Sequence, residues 1–429
     1  MLHKSRFAPL VARAIPLLAA AVPLFGCNDQ SQISEESDPS ALFNSSDNGL
    51  SSANGLSSAN GLSAANGLSS ANGLSSANGL SSANGLSSAN GLSSANGLMT
   101  TAPTRQLVKY LAKCALLSGQ NLVKADQYGT MYTYAGAIGA GPMWLTGACD
   151  TACQQRVTSC LLTMANRDGK HVSIELVSAA SSLSAIGSAG DDVTFPNQEG
   201  TVFGNLFPSP PQMYACAGAQ ADRAAQAKRY CIAGTGCDLI TQTSPCATAC
   251  TQTCVTGPGG KQVCSASSCK SPNGTTWAAP ITVYLRNRIE AGNYDATGGT
   301  DFGGVTQFGM TGGTLGIAGV DDGDWIQHSD VQFGQAGSAA AFTAYISTMS
   351  AGNFIELRVD SPTGPVISRI TTTAGASMTV ERALSAPISS AGISGKHTIF
   401  ITFNGAANRA SGANGGGKQF GNISYFEVK

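Results

Sequence analysis

The sequence predicts three regions of different fold class: a disordered N-terminal repeat linker, a disulfide-rich mixed α+β middle domain and a C-terminal all-β jelly-roll sandwich. Three observations carry that reading. Residues 45–98 are nine copies of a six-residue unit close to Ser-Ser-Ala-Asn-Gly-Leu. Of 13 cysteines, all but Cys27 fall within residues 114–269. Beyond residue 340, apolar and polar residues alternate in short runs divided by Gly, Pro and Asn.

Composition narrows the function classes. The 429 residues leave room for two or three domains. With 42% hydrophobic and 11% charged residues, the chain is not one long solvated polymer. Lys and Arg number 24 against 25 Asp and Glu, so no basic excess exists to neutralise a phosphate backbone, and no nucleic-acid partner is expected. Four histidines leave little material for imidazole catalysis. The balance favours a binding or structural role over an enzyme.

Residues 1–26 read as an export signal. Lys4, Arg6 and Arg13 precede an apolar run over 14–25, too short to span a bilayer. The run ends in Leu24-Phe25-Gly26-Cys27, which resembles the lipobox of bacterial lipoproteins. That resemblance implies a diacylated Cys27 and a lipid anchor at the cell envelope; Asn28 and Asp29 do not select a membrane, and the outer membrane or cell surface is the expected location in preference to the inner membrane. Two acyl chains give stable attachment.

Residues 27–103 are expected to form the linker. Each repeat holds one Leu and an Asn-Gly pair, which favours turns. A β-solenoid with one Leu per rung is the alternative. One Leu in six residues buries too little apolar surface to offset ordering the backbone, so a flexible tether is preferred.

The middle domain is expected over residues 104–277. Leu107, Val108, Leu111, Ala112 and Leu116 form a helical stripe, and residues 151–166 form another through Val157, Leu161 and Met164. Cys153 and Cys160, seven apart, are expected on one side of that second helix, facing an element to which they could be stapled. Residues 171–176 alternate like a strand, beginning at His171. Removing Cys27 leaves an even set of twelve for disulfides: Cys114, Cys149, Cys153, Cys160, Cys216, Cys231, Cys237, Cys246, Cys250, Cys254, Cys264 and Cys269. Three of these, Cys246, Cys250 and Cys254, recur every four residues, so a thiolate metal site on one helical face is the competing reading. The spacing is not Cys-x2-Cys and export supplies an oxidising compartment, so disulfides are preferred. No nucleophile elbow or His-Glu-x-x-His helix occurs. Asp150, Asp168, Glu175, Asp191, Asp192 and Glu199 are the acidic candidates should this domain cleave glycosidic bonds, but no pattern singles out a pair.

The sandwich is expected over 283–429. Residues 342–347 and 355–360 alternate strictly, and shorter strands are expected at 366–370, 397–403 and 423–428. The segment carries Arg288-Ile289-Glu290-Ala291-Gly292-Asn293-Tyr294-Asp295, then Asp322-Gly323-Asp324-Trp325-Ile326, then Ile355-Glu356-Leu357-Arg358-Val359-Asp360-Ser361-Pro362-Thr363-Gly364-Pro365. Gly395-Lys396-His397-Thr398 and Asn422-Ile423-Ser424-Tyr425-Phe426 follow in order. Together these motifs resemble a family 6 carbohydrate-binding module. The resemblance implies a β-sandwich that binds polysaccharide or surface glycan, with Trp325 in its core and His397 in the strand framework. It implies a cleft where two aromatic rings sandwich a sugar and a terminal-strand Asn, here Asn422, bonds the hydroxyls. The two stacking positions fall at Gly319 and near Ser377, so both rings are absent. Tyr345, on the wet side of its strand, is the candidate for an alternative site. The resemblance also implies a structural calcium on Glu290, although the family's second acidic residue is Gly292 and Ser424 stands where an acidic residue is common. A lipid-anchored, non-catalytic glycan binder is the expectation. A surface adhesin without sugar binding and an enzyme centred on the middle domain are the alternatives.

Overall fold

A computed structural model describes residues 92, 97–100, 102–165, 172–184, 186–208, 210–232, 237, 240–299, 305–309, 315–348, 351–374, 380–389, 393–405 and 420–429. The expected signal peptide, Cys27, the repeats before residue 92, His171 and Ser377 lie outside the described residues.

The expected linker of residues 27–103 ends differently from a free tether. Leu92, Leu98 and Met99 are buried in the same core as the first helix, α1 (Ala102–Ala115). The Lys124 ammonium donates to the Leu92 carbonyl at 3.2 Å, and Arg105 Nη1 donates to the Met99 carbonyl at 3.1 Å. A single Leu per repeat is too little to fold alone, yet enough to fill a socket supplied by another domain.

In α1, Leu107, Val108 and Leu111 face inward as their spacing predicts, against α2 (Thr151–Thr163). Asp150 caps α2 by accepting from the Cys153 N–H at 2.8 Å. Between the helices lies the hairpin of β1 (Asn121–Ala125) and β2 (Met131–Ala135). Cys160 bridges to Cys114 and staples the two helices. Cys153 instead bridges to Cys149 and closes only the turn entering α2, so the expected shared stapling face holds for Cys160 alone.

The helices cover one face of a five-stranded sheet ordered β3 (Ile174–Val177), β10 (Ile281–Leu285), β4 (Asn197–Asn205), β5 (Gln212–Ala217) and β6 (Thr241–Gln242). Its other face meets a smaller sheet of β7 (Cys250–Thr256), β8 (Gln262–Lys270) and β9 (Thr276–Trp277) through Val177, Phe195, Val263 and Tyr284, and through Phe203, Ala266 and Trp277. Covered on both faces, β4 is buried along its whole length, although it carries Asn197, Gln198, Glu199, Thr201 and Asn205. Glu199 is paired there with Arg229 at 2.9 Å, both side chains almost wholly enclosed.

The thiolate-site alternative fails on local structure. Cys246 lies in a one-turn helix, α3 (Cys246–Ala249), while Cys250 and Cys254 lie in β7, so no helical face gathers all three. Each joins a different bridge: Cys216–Cys246, Cys250–Cys269 and Cys254–Cys264. With Cys231–Cys237, all twelve cysteines beyond Cys27 are paired.

The sandwich begins later than residue 283. That position lies inside β10, which the middle domain buries between β3 and β4, and the sandwich takes its first strand at β11 (Ile289–Glu290). One sheet runs β13 (Thr306–Gly309), β14 (Leu315–Ala318), β21 (Asn422–Val428), β16 (Ala341–Ser347) and β19 (Arg382–Pro387), with β11 also on β21. The other runs β12 (Ala296–Gly298), β15 (Trp325–Gln332), β20 (Lys396–Asn404), β17 (Phe354–Val359) and β18 (Val366–Thr371). Ile326, Phe342, Ala344, Ile346, Ile355, Leu357, Ile399, Ile401, Phe403 and Phe426 meet between the sheets. Period-two alternation therefore does here what it predicts.

Middle domain and sandwich are joined by polar contacts. Lys228, itself at φ +59° and buried, donates to Asp295 Oδ2 at 2.6 Å and to the Ser329 carbonyl at 3.2 Å. Arg223 Nη1 reaches the Gln332 carbonyl at 3.1 Å, and Tyr230 donates to Asp330 Oδ2 at 3.3 Å.

Candidate functional site

At the sandwich edge, Asn422 opens β21 and is half-buried. The Phe420 N–H donates to the Val320 carbonyl at 3.0 Å, which brings the Gly319 turn beside the approach to Asn422. Gly319 sits at φ +70°, where L side chains rarely go. The backbone itself therefore disfavours a stacking ring at this position. Ser377, the other expected wall, lies outside the described residues.

Tyr345 is not a lone exposed ring. It stacks on its cross-strand partner Tyr425 with centroids 4.0 Å apart, and its hydroxyl donates to Glu427 Oε2 at 2.9 Å. The Arg288 guanidinium lies 4.5 Å from the centre of the Tyr425 ring. Burial, and then the Glu427 carboxylate, push the Tyr345 hydroxyl above its ordinary range.

Glu290 does not fit a calcium site. Its carboxylate is buried and paired with Arg288 Nε at 2.5 Å, with Arg286 also close enough to act on it. Burial pushes this carboxyl up, and the two guanidinium groups offset part of that rise. A side chain at Gly292 would meet Leu315 at 2.6 Å, so the missing acidic residue has no space. Ser424 is buried as well. A divalent cation needs several anionic oxygens, whereas Oε1 of this carboxylate already serves the Arg288 guanidinium and the buried Oε2 alone, with no second carboxylate at 292 or 424, is too few.

The expected core position of Trp325 is corrected. Inward-facing Ile326 and His328 are fully buried, and the alternate residues Trp325 and Gln327 are half-buried on the outer face. Trp325 meets Phe400 edge to face at 5.4 Å, and it presses on Gly298, where an added Cβ would clash with the indole at 2.5 Å. Pairing across the sheet then aligns Trp325 with Thr402, Thr402 with Glu356, and Glu356 with Arg369. Glu356 accepts from Arg358 Nη2 at 2.6 Å, Arg369 Nε at 2.7 Å and Asn404 Nδ2 at 3.0 Å. Burial alone would raise the Glu356 carboxyl, but bonds from Arg358 and Arg369 outweigh it and hold it below the usual range. Trp325, half-buried, and Arg369, exposed, are the accessible members of this row, whereas Phe400, Thr402 and Glu356 are themselves buried and hold the other two in place. The signal of this outer face was present in the sequence, since Trp325 shares parity with Gln327 rather than with Ile326.

His397 is half-buried on β20, edge-on to Phe333 at 5.8 Å and 3.5 Å from Asp360. Of the acidic candidates in the middle domain, Asp150 caps α2, Glu199 pairs with Arg229, and Asp192 accepts from the Gly259 and Lys261 N–H groups, each at 2.7 Å. Asp191 accepts from the Val193 and Thr194 N–H groups, and Asp168 lies outside the described residues. Glu175 accepts from the Asp191 N–H at 2.8 Å, and burial raises its carboxyl to about 7.

Residues 290–428 match the carbohydrate-binding module of family 6, so the chain carries that module at its C-terminal end. A curated relative, the arabinoxylan arabinofuranohydrolase of Paenibacillus polymyxa, is 34% identical over 94 residues. That match spans 22% of this chain and only 14% of the relative's length. Among solved structures, a family 6 module from Clostridium cellulolyticum in complex with xylose is 24% identical, covering 33% of this chain and 95% of its own, with a TM-score of 0.27. A module from Clostridium stercorarium in complex with cellobiose is 25% identical, covering 33% and 92%, also at a TM-score of 0.27.

Proposed function

We propose that this chain is an exported glycan-binding protein, lipid-anchored through Cys27 at the bacterial cell envelope, whose C-terminal module holds a polysaccharide without cleaving it. One observation carries the binding reading: in a module of this family, the outer sheet face exposes part of the Trp325 ring and the Arg369 guanidinium on one cross-strand row, which the buried Phe400, Thr402 and Glu356 hold in place. Sugar C–H faces pack on aromatic carbon while hydroxyls need convergent donors and acceptors. The Gly319 edge lacks its ring, which moves the weight of binding to this face. Similarity to a relative named for arabinoxylan makes xylan chains the first candidates.

Affinity electrophoresis of the mature chain through gels containing xylan, β-glucan or agarose tests the reading. Retardation by at least one polymer is expected, weakened tenfold or more by Trp325→Ala, equivalent to about 1.4 kcal/mol. No retardation by any polymer, or full retention in the variant, defeats it. Mass spectrometry of the mature N-terminus tests the anchor, which an unmodified Cys27 contradicts.

Hydrolysis by the middle domain is the second reading, favoured by Glu175. A carboxyl raised to about 7 suits a general acid. Glycoside hydrolysis needs a second carboxylate across the bond, and Asp191 and Asp192 are its neighbours. Reducing-sugar release that disappears in Glu175→Gln would establish this reading in place of simple binding.

A further inference from the structure

A second polar surface lies at the junction of the two domains. A cleft of about 360 Å3 lies between the two domains, within the roughly 300–1,000 Å3 that ligand pockets occupy. The middle domain contributes Thr194, Pro196 and Lys261, the crossing segment contributes Arg286 and Arg288, and the sandwich contributes Tyr425, Glu427 and Lys429.

Four of these groups are cationic and one is anionic. Lys429 is paired with Glu427 at 2.6 Å and Arg288 with Glu290 at 2.5 Å, and Arg286 feels the Glu290 and Asp191 carboxylates, which leaves the exposed Lys261, among the described residues, as the lining cation without a carboxylate of its own. Arg286 is partly buried, its guanidinium 4.9 Å from the centre of the Phe195 ring. Burial first, and then neighbouring Arg288, lower it to about 10, so it stays charged at neutral pH although its surroundings disfavour the charge. A cation withdrawn from water without full compensation is costly unless an anion joins it.

The cleft is also held in place. Asp192, buried, accepts from the N–H groups of Gly259 and Lys261, which fixes the β7–β8 turn and sets Lys261 at the rim. Added Cβ atoms at Gly257 and Gly259 would strike Asp192 at 2.3 and 2.8 Å, so this turn needs its glycines to come so close. On the opposite wall the Tyr345–Tyr425 stack supports the Arg288 guanidinium. The forked guanidinium donors match a carboxylate or sulfate in geometry as well as charge.

We propose that this interdomain cleft binds an anionic saccharide, a pyranose carrying a uronate carboxylate, in addition to the chain held on the Trp325 face. That the ligand is a sugar rests on the glycan-binding reading. The anionic preference rests on the cleft alone. The junction would then let one protein hold a mixed-charge polysaccharide at two places.

Calorimetric titration of the mature chain with trigalacturonate, its fully methyl-esterified form and inorganic sulfate tests the proposal at low salt. Trigalacturonate is expected to bind at least tenfold more tightly than either of the others. Lys261→Glu, an exposed rim substitution that keeps the backbone bond to Asp192, is expected to weaken it at least tenfold. Trp325→Ala is expected to leave trigalacturonate binding unchanged while weakening retention by neutral polymer tenfold or more, so failure at one site is read apart from failure at the other. No binding at millimolar trigalacturonate, equal affinity for the methyl ester, sulfate binding as tightly as the sugar, or wild-type affinity in a folded Lys261→Glu variant would each overturn the proposal.

Discussion

The two domains are held together by different physics. In the sandwich, alternate residues of β15, β16, β17, β20 and β21 point into a largely apolar layer that also holds His328 on β15, and the buried carboxylates of Glu290 and Glu356 lie outside that layer in ion pairs with arginines. The middle domain has a longer set of helices and strands, yet its central strand β4 is polar, its Glu199–Arg229 pair is enclosed, and six disulfides cross it. No cysteine lies beyond residue 269, so the sandwich has no covalent support. A domain that buries charge and amide groups spends apolar stabilisation on desolvation, and cross-links recover it by restricting the unfolded chain.

The largest break in this comparison should come from reduction. Calorimetry of the mature chain is expected to show a middle-domain transition that collapses with dithiothreitol while the sandwich transition stays within a few degrees. Among single bridges, Cys114–Cys160 closes a loop of 46 residues, and losing it in a Cys114→Ser/Cys160→Ser variant should cost about 4 kcal/mol by chain entropy. Equal loss in both transitions would show that the domains melt as one unit and that the comparison is wrong.

Next in size is the buried ion pair. Glu199→Ala leaves the Arg229 charge enclosed and should destabilise the middle domain by roughly 3–5 kcal/mol in urea unfolding. Replacing both residues with apolar ones of similar volume, Glu199→Leu with Arg229→Met, should recover much of that loss. A single variant no worse than the double would mean that Arg229 finds water or another partner.

The contrast also explains what could be read in advance. The strands at 342–347, 355–360, 366–370, 397–403 and 423–428 all formed, because one wet and one dry face print a period of two on the sequence. β4 printed nothing, since a strand covered on both faces has no alternation and its polar residues look like a loop. β10 falls across the expected domain boundary at 283, because its Ile281, Val283 and Leu285 would suit either core. The family resemblance implies an inward Trp325, whereas its parity with Gln327 places it outward. The interdomain cleft had no local signature at all, because residues near 194, 261, 288 and 427 meet only after both domains fold.

A smaller effect concerns the end of the repeat tract. Leu98→Ala removes a side chain buried against the middle-domain core and should cost about 2 kcal/mol, near the low end for a buried leucine. The same change at Leu86, outside the described residues, is the control and is expected to leave the melting temperature unchanged. Equal effects at both positions would show that more than the last repeats dock.

The smallest effect is a difference in pH dependence confined to the middle domain. Glu175 sits across from Tyr284, near the carboxylates of Asp191 and Asp192, and accepts the Asp191 N–H; burial is the first cause of its rise from 4.5 to about 7, and the two aspartates add to it. A carboxyl raised on folding binds its proton more tightly in the native state, so stability is greatest below the unfolded value near 4.5 and falls as pH rises towards about 7. Lowered groups such as Asp191 and Asp126 act in the opposite sense at lower pH, so the bare profile mixes both trends. Subtracting the profile of Glu175→Gln isolates the one group: the wild type should lose stability relative to the variant between about pH 4.5 and 7, in the middle-domain transition only. A flat difference would place Glu175 in water. A difference in the sandwich transition would mean that the polar junction through Lys228 and Asp295 couples the two domains more tightly than their separate cores suggest.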